Sequence, residues 1–207
     1  MLNRTKYFRK LCLSGCFFVG IIGLSSSANA QFIGINVDYA IDYSAAPGKV
    51  SGYSVGIAHP APFIPNIGYS YVSFIDKESI TNPSDNSSVS LETTTTIKTI
   101  NLFYNVPFPV VTITVGFGYG ADNLYTGVET ITTIDKVPSN LETSVSEAFF
   151  HIGLPFWNTI EFHLGYHFMS FSSMDITKGD KFQGKNYPTV KKSYSGGMTT
   201  IGVQVAF

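Results

Sequence analysis

Val111-Thr112-Ile113-Thr114-Val115-Gly116-Phe117-Gly118-Tyr119-Gly120 is the stretch that decides the fold. Strict period-2 alternation marks a strand. One face carries Val111, Ile113, Val115, Phe117 and Tyr119, and the other only threonine and glycine. A soluble barrel would turn its bulky side chains inward and show lysine and glutamate to water. Here the non-apolar face is too small to be a solvated exterior. It suits the cramped centre of a small barrel, where about eight strands leave just enough room for side chains. The bulky face then meets lipid.

Seven further segments repeat the pattern. Phe32 to Tyr43 sets Ile33, Ile35, Val37, Tyr39, Ile41 and Tyr43 against Gly34, Asn36, Asp38, Ala40 and Asp42. Strands are also expected at Ser51 to His59, Ile67 to Ile75, Thr93 to Tyr104, Ser144 to Leu154, about Ile160 to Met169, and the last residues up to Phe207. Thr93 to Tyr104 is the least regular, with apolar residues on both faces. The predicted fold class is all-β: an eight-stranded antiparallel up-and-down transmembrane barrel. Residues 60–66, 105–109 and 155–159 are short connections, each with proline, whereas 76–92, 120–143 and 172–194 are long and polar. Short periplasmic turns, longer external loops, an even strand count and both termini in the periplasm are the habit of outer-membrane barrels. Tyrosines near strand ends (Tyr39, Tyr43, Tyr71, Tyr104, Tyr119) and Trp157 are the expected aromatic girdles.

The first thirty residues read as a cleaved signal peptide, with residues 31–207 forming the barrel. Arg4, Lys6, Arg9 and Lys10 precede an apolar run from Leu11 to Leu24, and Ala28-Asn29-Ala30 offers the small-x-small cleavage pattern. The apolar run is shorter than the roughly 20 residues a membrane-spanning helix needs. Leu13-Ser14-Gly15-Cys16 also fits a lipidation box, but cleavage there would strand Phe17 to Leu24 on the mature chain. Both cysteines, Cys12 and Cys16, lie in the leader. The mature chain is therefore free of disulfides and thiolate chemistry. It carries nine lysines against fourteen carboxylates, a net of −5, which argues against nucleic acid as a partner.

The C-terminal residues Ile201, Val203, Val205 and Phe207 are apolar at every second position and end on an aromatic. They resemble the signal by which the outer-membrane assembly machinery selects its clients. His59-Pro60-Ala61-Pro62-Phe63-Ile64-Pro65-Asn66, leading into Gly68 to Ser73, and the unit Asn101 to Gly118 carry a second likeness. With them the chain resembles a family of small, functionally uncharacterised outer-membrane barrel proteins of proteobacteria. That resemblance implies a fold and a location and brings no activity. The expected partners are outer-membrane lipid and lipopolysaccharide and the outer-membrane assembly machinery.

The ionisable residues gather on the sixth and seventh segments. A turn centred on Trp157 would pair Glu147 with His167, His151 with His163, and Gly153 with Glu161, all inward. Such a set suggests a metal or acid–base site. Yet His163 and His167, four residues apart on a strand, are about 13 Å apart at roughly 3.3 Å per residue, too far to share an ion. The expectation is a buried hydrogen-bond network, joined by Asp38 and Asp42, with no cofactor, no metal and no catalysis. A lipid-modifying enzyme is the alternative, but His167 points inward and Ser170 outward. A narrow conduit is another alternative, though aqueous channels need about 16–18 strands. Finally, 172–194 carries Lys178, Lys181, Lys185, Lys191 and Lys192 against Asp175 and Asp180. This is the candidate external contact loop for lipopolysaccharide phosphates or another surface ligand.

Overall fold

The computed structural model describes residues 33–61, 63–120, 127–134, 137–157, 159–176, 181–182 and 185–207. The leader, including Ala28, Ala30 and Cys16, lies outside these residues, as does Lys178. The strands are β1 (Gly34–Tyr43), β2 (Val50–Ala58), β3 (Asn66–Thr81), β4 (Ser88–Pro107), β5 (Thr112–Gly120), β6 (Gly127–Ile134) and β7 (Val137–Thr143). They continue with β8 (Val145–Trp157), β9 (Ile160–Phe171), β10 (Met174–Asp175), β11 (Lys181–Phe182), β12 (Lys185–Asn186), β13 (Lys191–Lys192) and β14 (Gly196–Ala206).

Eight of these close into an antiparallel barrel in the order β3-β2-β1-β14-β9-β8-β5-β4, sealed by the β3–β4 pairing. Closure leaves the barrel wall without an edge, so its ladder groups are paired within the wall. The short turns and both ends of the described wall lie at one end of the barrel. Phe207 N–H donates to Ile33 O there at 2.8 Å.

The predicted faces are the observed ones. Ile35, Val37, Val115, Phe117, Phe162, Leu164 and Phe168 are exposed, whereas Asn36, Asp38, Thr114, His163 and His167 are buried. Ile33 to Ile41 spans about 26 Å along its strand at roughly 3.3 Å per residue. That is about 20 Å along the barrel axis at the usual tilt near 40°. The register aligns Tyr39 with Tyr53 and Tyr53 with Tyr71, and puts Lys98 opposite Tyr71. These residues form a girdle segment at the end away from the termini. Ile201 on β14 and Phe207 just beyond it are exposed, and Val203 and Val205 are half-buried.

Three departures from the periodicity matter. The ladder between β1 and β14 slips between Ala40 and Asp42. This bulge inserts one residue and reverses the facing beyond it, so Tyr43 is buried and Asp42 exposed. Tyr43 therefore leaves the girdle and donates its hydroxyl to Tyr194 O instead, and Asp42 leaves the expected lumen network. The second departure is in 76–92, which is no polar loop. β3 and β4 continue paired from Asn66↔Phe103 to Thr81↔Ser88, and turn through residues 82–87. Asn86 takes φ 58° there, a left-handed conformation asparagine tolerates. β6 then adds to β4, from Lys98↔Gly127 to Leu91↔Ile134, and β7 adds to β6. A four-stranded sheet thus projects past the girdle.

The third departure is what this sheet covers. Phe74, Ile80, Val89, Leu91 and Ile97 pack with Met174, Ile176, Tyr187 and Tyr194 from the 172–194 segment, above Met169, Phe171 and Met198 in the upper lumen. The barrel is capped by an apolar core of its own. Two lysines of the 172–194 segment make ion pairs inside the chain. Lys192 Nζ lies 3.0 Å from Asp76 and 2.6 Å from Glu78, and Lys185 Nζ lies 2.5 Å from Asp85. Lys185 and Lys192 therefore bridge the 172–194 segment to the β3–β4 ribbon. Lys191 is exposed and pairs by backbone with Asp175, and Lys181 pairs by backbone with Asn186.

The Lys185 ammonium, with help from the Ser87 hydroxyl and N–H, holds the Asp85 carboxyl down at about 2. A depressed carboxyl favours the folded cap above its ordinary titration range, and this contribution is lost as pH falls through about 2. In the Lys185→Met variant the Asp85 carboxyl-carbon NMR titration should move up toward about 3.9. A midpoint left near the wild-type value would contradict the ion pair.

Candidate functional site

The polar half of the lumen lies below the apolar cap and is built from β1, β8, β9 and β14, with contributions from β4 and β5. The register explains how such large groups fit. Asp38 and His163 both lie opposite Gly202, from its two sides. His151 lies opposite Gly165, Glu147 opposite Gly118, Phe149 opposite Gly116, and His163 also opposite Gly153. A Cβ on Gly202 would stand 2.0 Å from Asp38 Oδ1, one on Gly153 2.0 Å from Glu161 Oε1, and one on Gly165 2.5 Å from His151 Cδ2. Each bulky polar side chain thus occupies the space a neighbouring glycine leaves open.

The β8–β9 register differs from the expected one by two residues. Glu147 faces Met169, Phe149 faces His167, His151 faces Gly165, Gly153 faces His163 and Pro155 faces Glu161. The turn is centred one residue later than Trp157, next to a bulge between Pro155 and Trp157. Glu147 and His167 still meet, because diagonal neighbours on one face remain within reach of long side chains. His167 Nδ1 donates to Glu147 Oε1, and Thr99 Oγ1 donates to Glu147 Oε2 at 2.8 Å. His151 Nε2 and His167 Nε2 are 3.1 Å apart, and Thr200 Oγ1 lies 3.2 Å from His167 Nε2. Phe149 stacks on His167 with ring centroids 5.0 Å apart.

A second arm runs toward the short turns. His163 Nε2 lies 2.8 Å from Glu161 Oε1, and Thr112 Oγ1 donates to Glu161 Oε2 at 2.6 Å. Asp38 sits between the arms. Its Oδ2 accepts from Ser54 Oγ at 3.2 Å, while Oδ1 is 3.6 Å from His163 Nδ1 and 3.9 Å from His151 Nδ1. Six of the seven residues expected in a lumen network, all but Asp42, therefore come together. Sequence reasoning missed Ser54, Thr99, Thr112 and Thr200, which the small-residue face did signal in general terms.

His59 stands apart, in the turn after β2. Its Nδ1 accepts from Ala61 N–H at 3.2 Å, its Nε2 donates to Pro65 O at 3.2 Å, and its own N–H donates to Asn66 Oδ1 at 2.9 Å. The ring fastens the proline-rich turn.

The chain matches no family model and no curated protein sequence. Similar solved structures include neisserial surface protein A, with 13% identity over 84% of this chain and 96% of that one and a TM-score of 0.47. The N-terminal β-barrel domain of Pseudomonas aeruginosa OprF has 10% identity, covering 86% and 98%, with a TM-score of 0.45. A major outer membrane protein from Thermus thermophilus has 12% identity, covering 84% and 99%, with a TM-score of 0.42. These likenesses concern overall shape alone.

Removing one partner from a buried pair leaves the other unsatisfied. Glu147→Ala should therefore destabilise the barrel by about 1–3 kcal/mol, read as a lower urea midpoint in lipid vesicles. A wild-type midpoint would show that the Glu147–His167–Thr99 contacts carry no stability.

Proposed function

We propose that this protein is an integral barrel of a bacterial outer membrane with a structural or surface-presenting role and no catalysis. The observation that carries the reading is the inside-out distribution of polarity: a closed wall, apolar outside and hydrogen-bonded inside. Water would make that exterior costly, whereas lipid tails require it. The residues Ile201, Val203, Val205 and Phe207 support assembly by the outer-membrane insertion machinery. The girdle tyrosines support contact with lipid headgroups and lipopolysaccharide.

Two rival roles find less support. A conduit needs an open bore, and among the described residues the lumen is occupied by buried Asp38, Phe103, Phe149, His151, His163 and His167, with a cavity of ≈ 10 Å³ beside them. A lipid hydrolase needs a base beside a nucleophile on the lipid-facing surface, and His151, His163 and His167 are all buried in the lumen. The projecting sheet, held by its own core and by paired lysines, suits a rigid surface element.

The test is membrane fractionation with heated and unheated gel electrophoresis, followed by planar-bilayer recording. The expected result is a heat-modifiable band in the outer-membrane fraction and no conductance steps. A soluble periplasmic protein, or discrete channel openings, would overturn the reading.

A further inference from the structure

The outer hydrogen bonds of the lumen dictate where its histidine protons sit. A carboxylate only accepts, so His167 must donate from Nδ1 to Glu147, and His163 must donate from Nε2 to Glu161. In the neutral rings, His167 Nε2 is then an acceptor within reach of both His151 Nε2, at 3.1 Å, and the Thr200 hydroxyl, at 3.2 Å; a His151 that donates there through Nε2 leaves its Nδ1 bare. What remains is one lone pair on His151 Nδ1, one on His163 Nδ1 and the charged Oδ1 of Asp38. All three atoms are buried and have no hydrogen-bond partner. With both rings neutral three acceptors face one another, and either a proton on His163 Nδ1 or a metal cation must stand among them; the close grouping of three metal-ligating atoms favours the metal.

We propose that Asp38, His151 and His163 bind one divalent transition-metal ion inside the barrel. The three donor atoms lie within 4.8 Å of one another, with Oδ1–Nδ1 separations of 3.6 and 3.9 Å. Tetrahedral zinc, with bonds of about 2.0–2.2 Å, sets its ligands roughly 3.3–3.5 Å apart. A contraction of a few tenths of an ångström in the two measured separations brings them to that spacing. Two imidazoles and one carboxylate suit zinc and its neighbours rather than calcium or magnesium.

The supporting shell is already in place. Each ligating ring donates its other N–H outward, His163 to a carboxylate and His151 to a histidine that is itself fixed by one. This is the outer arrangement that orients metal-bound imidazoles. Asp38 is steadied through Oδ2 by Ser54. Gly202 is the cradle, since any side chain there would displace Asp38 Oδ1. A small cavity adjoins the site, lined in part by Asn36, Asp38, Asn101 and His151, and Asn36 Oδ1 and Asn101 Oδ1 are buried and unpartnered. The ion would tie β1 to β8 and β9 across β14, a role in holding the wall together. His163 and His167 do not share an ion on one strand. The second imidazole comes instead from His151 on the neighbouring strand.

The test uses tag-free protein extracted from membranes without chelators. The expected result is one zinc-type ion per chain by elemental analysis. After stripping, Zn²⁺ should raise the unfolding midpoint, and Co²⁺ should give the intense visible bands of a tetrahedral site. Asp38→Asn and His163→Gln should lose the ion while keeping heat-modifiable migration, and Glu161→Ala should weaken binding about 10–100-fold. If those variants fail to fold, the wild-type stoichiometry and the Co²⁺ spectrum still decide. Folded wild-type protein that holds no ion and does not respond to Zn²⁺ or Co²⁺ would overturn the proposal. So would an ion retained by both ligand variants.

Discussion

The structure depends on a constraint of space. Eight strands enclose a bore that side chains must fill, and each large group placed in it demands an absence nearby. Asp38 and His163 meet over Gly202, His151 lies against Gly165, Glu147 against Gly118 and Phe149 against Gly116. The glycines of the alternating strands are thus complements to particular neighbours. Closure of the wall supplies the other half of the constraint, because backbone groups facing hydrocarbon have no water to turn to.

Within that bore the chain separates two chemistries by height. Toward the short turns, carboxylates, imidazoles and hydroxyls pair with one another, except at Asp38 Oδ1, His151 Nδ1 and His163 Nδ1, in a low-dielectric interior where an unpaired group is costly. Toward the other end the filling becomes aliphatic and aromatic, and it continues beyond the girdle into a core shared by the β3–β4 ribbon and the 172–194 segment. The transition is continuous, so the projecting sheet is anchored to the barrel. Tyr194 shows the coupling: its backbone carbonyl accepts from Tyr43 on the wall, and its hydroxyl donates to Asp76 on the ribbon at 3.3 Å.

Much of this was legible in the residues. Strict alternation in 111–120 and at the C-terminus identified strands, faces and closure, and inward Asp38, Glu147, His151, Glu161, His163 and His167 follow from parity alone. Parity also misleads where one residue is inserted. The bulge after Ala40 sends Asp42 out and Tyr43 in, and nothing in Ala40-Ile41-Asp42 announces it. The β8–β9 register departs by two residues because a tryptophan alone does not fix the centre of a turn. The ribbon was hidden for a different reason: its serines, asparagines and threonines look like loop residues. Val89, Leu91 and Ile97 at odd positions, with β-favouring threonines between them, were the overlooked sign of a strand covering something apolar.

The central claim, that the bulky faces meet lipid while the lumen is sealed from it, is open to direct measurement. The chain has one tryptophan, so in a Trp157→Phe background single tryptophans can replace outward Phe117, Phe150 and Phe168, or inward Phe103. In vesicles of brominated lipid, the first three should be strongly quenched and the tryptophan at 103 should not. Unquenched outward positions, or strong quenching at 103, would contradict the account.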